Sequence, residues 1–238
     1  MGQPGVTWIG RLALYLVVSG VAVLMLLPFY WMVMTAFSPA PDIIAFPPKW
    51  IPSTVTLEHF EVAFEKAAWL RYYGNSAVVA VVSVGCSLLF GLFAGYAFAI
   101  YRFPFQTFFF LLILGTLMVP VQVTAVSLYV LLSQVGWVDT FLGILAPNFA
   151  SAFGVFMIRQ GIKQIPLDLI EAARMDGAGE WQLFRRVMVP LSVPILATLF
   201  LLTFQFHWNN FLWQLIVVNV ERLYTVPVGL ALFKSAHE

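Results

Sequence analysis

The chain has 238 residues, of which 61% are hydrophobic and only 10% charged, with a formal net charge of +1. Soluble domains carry charge on about a quarter of their residues, so this composition excludes an ordinary soluble protein, as does a mean hydropathy of +0.91. A balance so close to neutral gives no footing for a nucleic-acid partner, and the lone Cys86 cannot build a disulfide framework.

The charges are excluded from long windows. No Asp, Glu, Lys or Arg occurs in residues 12–41, 72–101, 103–138, 140–158 or 187–220. Each gap can hold the ~20 apolar residues that cross a bilayer core as a helix. Five spans are predicted, at 12–37, 75–100, 108–132, 141–158 and 193–218. Runs of Phe, Leu and Val without period-two alternation argue against a transmembrane barrel. The first apolar stretch is too long for a cleaved secretory signal, whose core is ~7 to 15 residues.

With the N-terminus inside, seven basic residues (Arg11, Arg102, Arg159, Lys163, Arg174, Arg185, Arg186) fall in inner segments. Five (Lys49, Lys66, Arg71, Arg222, Lys234) fall in outer ones. That bias supports the inside orientation. The outer loop 38–74 opens with Pro39, Pro41, Pro47, Pro48 and Pro52, which favour an extended path. Thr56 can then cap a short helix with Phe60, Phe64 and Ala67 on one face, resting on the membrane surface or meeting an extracytoplasmic partner.

In the second span Ser83, Ser87, Gly91, Gly95 and Ala99 recur every four residues, a strip on which another helix can approach closely, in this chain or another. Pro120 and Pro147 interrupt the third and fourth spans. Near them Gln122, Thr124, Asn148 and Ser151 are polar groups that hydrocarbon penalises, so they either line a transport path or hydrogen-bond between helices. On a helical wheel of the fifth span Thr203, His207, Asn210 and Gln214 share one face, while Gln205 and Asn209 lie nearly opposite. One face is expected to border the solute path and the other a partner helix. The competing reading is a fully interior helix with satisfied amides. As solute-path candidates these observations select Gln122, Asn148, Ser151, His207, Asn210 and Gln214.

The inner segment 159–190 carries most of the inner charge. Pro166 suits a helix start, Asp168 and Glu171 complement its positive end, and Gly177 can adopt the left-handed conformation that stops it. A second short helix can run from near Gly179 towards Pro190. Small residues at Ala172, Ala173, Gly177 and Ala178 give a corner that either docks into a groove of another protein or stays a compact solvated loop.

Glu171-Ala172-Ala173, Asp176-Gly177-Ala178, Val189-Pro190-Leu191 and Pro194 together resemble the EAA loop of ABC importer permeases. Asn75-Ser76, residues 136–140, Ile165-Pro166 and the run Trp208-Asn209-Asn210-Phe211-Leu212-Trp213 are similar to the carbohydrate branch, the maltose-permease-like subunits that pair with a longer partner. The resemblance covers essentially the whole sequence and implies an all-α polytopic helix bundle forming a single transmembrane permease domain over residues 1–238.

It further implies that Glu171, Ala172, Ala173, Asp176, Gly177, Ala178 and Gly179 form a coupling helix seated in a cytoplasmic ATPase dimer. Glu171 would anchor it, Gly177 make the turn and the alanines permit close approach. The expected partners are that ATPase, a second permease subunit in a heterodimer, an extracytoplasmic solute-binding protein and membrane lipid, in a bacterial or archaeal cytoplasmic membrane. The chain has no P-loop, so no cofactor is expected in it, and ATP and Mg would be bound by the ATPase. Members of the family continue into a sixth span, which leads to the expectation that the sequence is truncated at Glu238. Ala125 and Gln214 stand where many relatives carry proline. An intramembrane enzyme using His207 would need a second catalytic group, and the spans contain no carboxylate; His59 and His237 fall in outer segments. An ATP-independent channel or an assembly scaffold is the alternative function. The solute, a sugar or another polyol, is not selected by the sequence.

Overall fold

The computed structural model describes residues 8–235; His237, assigned above to an outer segment, lies outside them. Among the described residues there are helices and turns and no strand, so the polytopic α-helical expectation is met. The chain divides into two compact units, Met1–Ala67 and Ala68–Glu238.

The first unit opens with α1 (Trp8–Ala36), which has no buried residue in the chain itself, as a helix facing lipid or another subunit requires. A short α2 (Ala40–Ile43) follows, then an extended segment and α3 (Glu58–Lys66). Thr56 does hold the start of α3, its hydroxyl accepting from the Glu58 N–H at 3.1 Å, and Phe60 packs on Phe37 at 5.3 Å between ring centroids. The proline-rich segment is organised by Asp42, a feature that composition did not reveal. Its carboxylate accepts from Lys49 Nζ at 2.6 Å and from the Ser53 N–H at 2.8 Å and hydroxyl at 2.5 Å.

In the second unit the long helix α4 (Trp69–Ile100) starts six residues before the predicted span; in its first turn Tyr72 is buried and Trp69 packs edge-on against it at 5.6 Å between ring centroids. Then come α5 (Gln106–Thr116) and α6 (Val121–Gln134), bent by 94° across residues 117–120, where Pro120 sits at the N-cap of α6. The predicted third span is therefore two helices: proline removes a backbone donor at the junction and excludes a continuous helix. α6 is closed by Gly136, φ +72°, beyond its last turn, with the Trp137 N–H bonded to the Leu132 carbonyl and the Gly136 N–H to the Ser133 carbonyl, a Schellman closure.

The fourth span is also interrupted. α7 (Phe141–Leu145) passes through a 3₁₀ turn at Pro147 into α8 (Ala152–Ile162), with Thr140 and Ser151 capping the two starts by accepting the N–H groups of Gly143 and Gly154. After α9 (Leu167–Met175) and α10 (Glu180–Gln182), a π-helical turn (Leu183–Met188) and α11 (Val189–Leu191) lead into α12 (Val193–Trp208). α13 (Leu212–Val217) and α14 (Val226–Ser235) complete the described chain. The predicted fifth span also breaks, without proline or glycine: Asn209 donates from its amide to the Gln205 carbonyl at 2.8 Å and terminates α12.

By length and composition α1, α4 and Phe141–Ile162 can each cross a bilayer, and the bent pairs α5–α6 and α10–α12 bring the possible crossings to five.

Candidate functional site

The base of the site is the seam between α4 and α8. Ser83, Ser87, Gly91 and Gly95 are all buried, and α8 of the same chain covers the strip. A Cβ at Gly91 would lie 3.2 Å from the Gly154 backbone carbonyl carbon, and one at Gly95 only 2.8 Å from Ile158 Cγ2. Glycine at these positions is what lets the two helices meet. The Ser87 hydroxyl donates across the seam to the Asn148 carbonyl at 3.4 Å.

Above the seam, the interruptions in α5–α6, α7–α8 and α12–α13 face one another and leave two cavities. The larger, about 920 Å³, is lined by Gln122, Thr124, Asn148, Gln205, Asn209 and Asn210 among apolar and aromatic residues that include Phe206, Phe211 and Trp213. No charged side chain lines it. The smaller, about 440 Å³, is lined by Ser87, Asn148, Ser151, Thr203 and His207. Asn148 belongs to both, its amide donating to the Ile144 carbonyl at 3.0 Å. Broken helices leave the end carbonyls and N–H groups of each segment turned towards such cavities, where water or a polar solute can satisfy them.

The structure thus brings together Gln122, Asn148 and Asn210 at one cavity and Asn148, Ser151 and His207 at the other. Ser151 also caps α8, and the Thr203 hydroxyl donates to the Leu199 carbonyl at 2.6 Å. His207 is buried, and its Nδ1 has no hydrogen-bond partner among the described residues. Gln214 departs from this group. It lies on α13, outside the helix with which the wheel aligned it, and its buried side-chain oxygen Oε1 accepts from the Thr225 hydroxyl rather than facing either cavity. Gln205 and Asn209, which lie nearly opposite on the wheel and are not among the solute-path candidates, line the larger cavity. The wheel assumed a helix continuous through residue 210, which the Asn209 cap prevents.

Asn75 and Ser76, noted in the sequence only as part of a resemblance, hold the segment before α14. Asn75 donates to the carbonyls of Arg222 and Tyr224, both at 2.9 Å, and the Ser76 hydroxyl accepts the Val226 N–H at 2.8 Å. A residue nearly 150 positions away cannot be identified by local pattern, so this clasp was not readable from spacing.

The second part of the site is the corner between α9 and α10. Pro166 precedes α9, Asp168 lies in its first turn and Arg174 in its last, as the macrodipole favours. Gly177 at φ +81° closes the helix: the Ala178 N–H reaches the Ala173 carbonyl and the Gly177 N–H that of Arg174, both at 3.0 Å. Glu180 then accepts from Arg174 at 3.0 Å and from the Tyr101 hydroxyl at 2.8 Å, tying the corner to the end of α4.

Glu171, Ala172, Asp176, Gly177 and Gly179 are exposed on this corner, with Ala173 and Ala178 half-buried. Its underside is packed. Ile170, Leu183, Phe184 and Met188 form one buried cluster with Tyr96 of α4, Ile158 and Ile162 of α8 and Leu199 of α12.

Comparison with known proteins agrees with this arrangement. Residues 87–229 match the family model described as binding-protein-dependent transport system inner membrane component. The chain is 39% identical to the arabinooligosaccharides transport system permease protein AraQ of Halalkalibacterium halodurans over 76% of its own length and 65% of that protein. It is 33% identical to the lactose transport system permease protein LacG of Rhizobium radiobacter, over 94% of this chain and 81% of the other. It is 32% identical to the sn-glycerol-3-phosphate transport system permease protein UgpE of Brucella abortus, over 96% and 82%. A solved bacterial ABC transporter involved in the import of the acidic polysaccharide alginate shares the fold, with a TM-score of 0.83 at 24% identity over 98% of this chain and 83% of that one.

Proposed function

The chain belongs to the family of binding-protein-dependent transport system inner membrane components, multi-pass permease subunits rather than enzymes, and from that premise we propose that it carries an uncharged sugar across the cytoplasmic membrane, driven by a separate ATPase. The observation that carries this reading is the α9–Gly177–α10 corner, exposed on its outer face and fused on its inner face to the cluster shared by α4, α8 and α12. A groove on an ATPase dimer that moved the outer face would move those three helices with it, because a packed interior transmits displacement rather than absorbing it. Glu171 and Asp176 offer charge for orientation; Ala172 and Gly177 offer the absence of bulk. ATP and Mg would be held by that ATPase.

The solute class follows from the larger cavity. Amides of Gln122, Gln205, Asn209 and Asn210 both donate and accept, which suits hydroxyls, and Phe206, Phe211 and Trp213 supply the apolar faces that sugar rings stack against. A volume of about 920 Å³ lies in the range of small-molecule sites, and a wall without charge favours a neutral saccharide over a phosphate ester. A second permease subunit would complete the path, and an extracytoplasmic binding protein would deliver the solute.

The test is co-purification of the tagged chain with its candidate ATPase, comparing the native sequence with Glu171→Lys and Gly177→Trp. The native chain captures the ATPase and both variants lose at least about tenfold of it, the loss expected from truncating or displacing a central contact. Capture indifferent to both substitutions, with the variants folded, removes the docking role of the corner.

A further inference from the structure

At the end of the helices nearest the α9 corner lies a third cavity of about 360 Å³, lined by Arg102, Arg159, Lys163 and Gln106 and by apolar residues that include Ile165 and Leu167. Three cations border it and no carboxylate does. The described residues contain two ion pairs, Lys49–Asp42 and Arg174–Glu180, and neither involves these three residues.

Two of the polar groups are held in place. Arg159 donates through Nε to the Phe98 carbonyl at 3.2 Å and its guanidinium lies 3.9 Å over the Phe110 ring. Gln106 donates to the carbonyls of Phe98 and Tyr101 at 2.9 and 2.8 Å, satisfying acceptors at the end of α4 that would otherwise repel an anion. The N-terminal end of α9 borders the same cavity through Leu167 and Ile170, which add to its apolar lining.

The charge-free windows 72–101 and 140–158 end at Arg102 and Arg159, and α4 and α8 stop at Ile100 and Ile162 beside the cavity, which suits the edge of an apolar layer rather than its middle. We infer that this cavity is a binding site for the phosphate headgroup of an anionic phospholipid, with Arg102, Arg159 and Lys163 receiving the phosphate and the apolar wall receiving the glycerol and first methylenes. The mixed lining selects an amphiphile over a free ion. The absence of a carboxylate selects an anionic headgroup over a zwitterionic one, whose ammonium would have no partner.

The test uses native mass spectrometry of the full chain, delipidated and then exposed to phosphatidylglycerol or phosphatidylcholine. Phosphatidylglycerol is retained over phosphatidylcholine by at least about tenfold, as two or three surface cations supply. The preference is lost in the Arg102→Gln, Lys163→Gln double variant and kept in the Arg102→Lys, Lys163→Arg double variant. Inorganic phosphate at millimolar concentration does not displace the lipid. Equal retention of the two lipids, or full preference in the neutralised variant, overturns the site; displacement by phosphate alone makes it a site for a soluble anion and overturns the lipid assignment. Neither double variant touches the α9 corner, so failure here is distinct from failure of ATPase docking.

Discussion

The α4–α8 seam is built of small side chains and the junction of α12 with α13 of amides, and the two do opposite things. In the seam Ser83, Ser87, Gly91 and Gly95 are buried, and at Gly91 and Gly95 the α8 backbone comes directly against α4. At the junction the Gln205, Asn209 and Asn210 amides stand around an open cavity, and only one of their hydrogen bonds to the chain, Asn209 to Gln205, is made by a side chain. Small side chains therefore build the rigid member against which a polar, interrupted member can rearrange. Lipid gives no hydrophobic drive for helices to associate, so tight contact must come from such glycine-mediated approach. The prediction is that stability resides in the seam and transport in the junction, and that substitutions separate the two.

The largest effect is expected from adding one methyl group to the seam. In Gly95→Ala the new carbon would sit 2.8 Å from Ile158 Cγ2 and 3.0 Å from the Arg159 backbone nitrogen, so α4 and α8 must part. A loss of about 1–3 kcal/mol follows, read as a lower unfolding temperature in detergent. On the same helix Gly85→Ala meets nothing within 4 Å and should be neutral or stabilising by up to about 1 kcal/mol. Equal responses at the two glycines would refute the seam as the stabilising element.

A smaller effect on stability and a larger one on transport are expected at the junction. Gln205→Leu removes an amide exposed on the cavity wall, with no side-chain hydrogen bond among the described residues, so stability should stay within the ~0.5 kcal/mol typical of surface changes. Uptake in proteoliposomes should fall about tenfold, the order of one lost hydrogen bond to a solute hydroxyl. A stability loss matching that of Gly95→Ala, with uptake unchanged, would assign Gln205 to packing rather than to the solute path.

How far the sequence alone reaches can be judged from these same elements. Charge-free windows located the spans because hydrocarbon excludes charge over a fixed length, and Pro120, Pro147 and Gly177 marked breaks because each has a backbone restriction that acts locally. The turn of the corner at Gly177 and its exposed Glu171 and Asp176 follow from the same local rules. The 94° angle at Pro120 does not, since proline forbids continuation without choosing a direction. Nor does the end of α12: Asn209 is compatible with a helix until its amide bonds back to Gln205, and once it does, Gln214 turns from a path residue into the buried partner of Thr225. The Asn75 clasp on residues 222–224 is a contact between distant segments, for which no periodicity exists.

The smallest and most local effect separates polar groups that titrate from those that do not. The cavity amides carry no proton equilibrium in the ordinary range, whereas Asp42 organises its loop as an ion. The Lys49 ammonium first, then the Ser53 hydroxyl and N–H, hold its carboxyl down at about 2 against an ordinary 3.8. A depressed folded-state value means that the unfolded loop binds the proton more readily, so the stabilisation is complete above about 3.8 and is lost as the pH falls from there towards about 2. Protection factors across residues 42–53, that is, exchange relative to the intrinsic rate at each pH, should therefore be unchanged from neutral pH down to about 3.8 and fall only below it. Asp42→Asn should show the raised exchange at every pH, because an amide cannot receive the Lys49 ion pair. If native and Asp42→Asn loops exchange alike at neutral pH, the carboxylate is a bystander and the loop is held by its prolines.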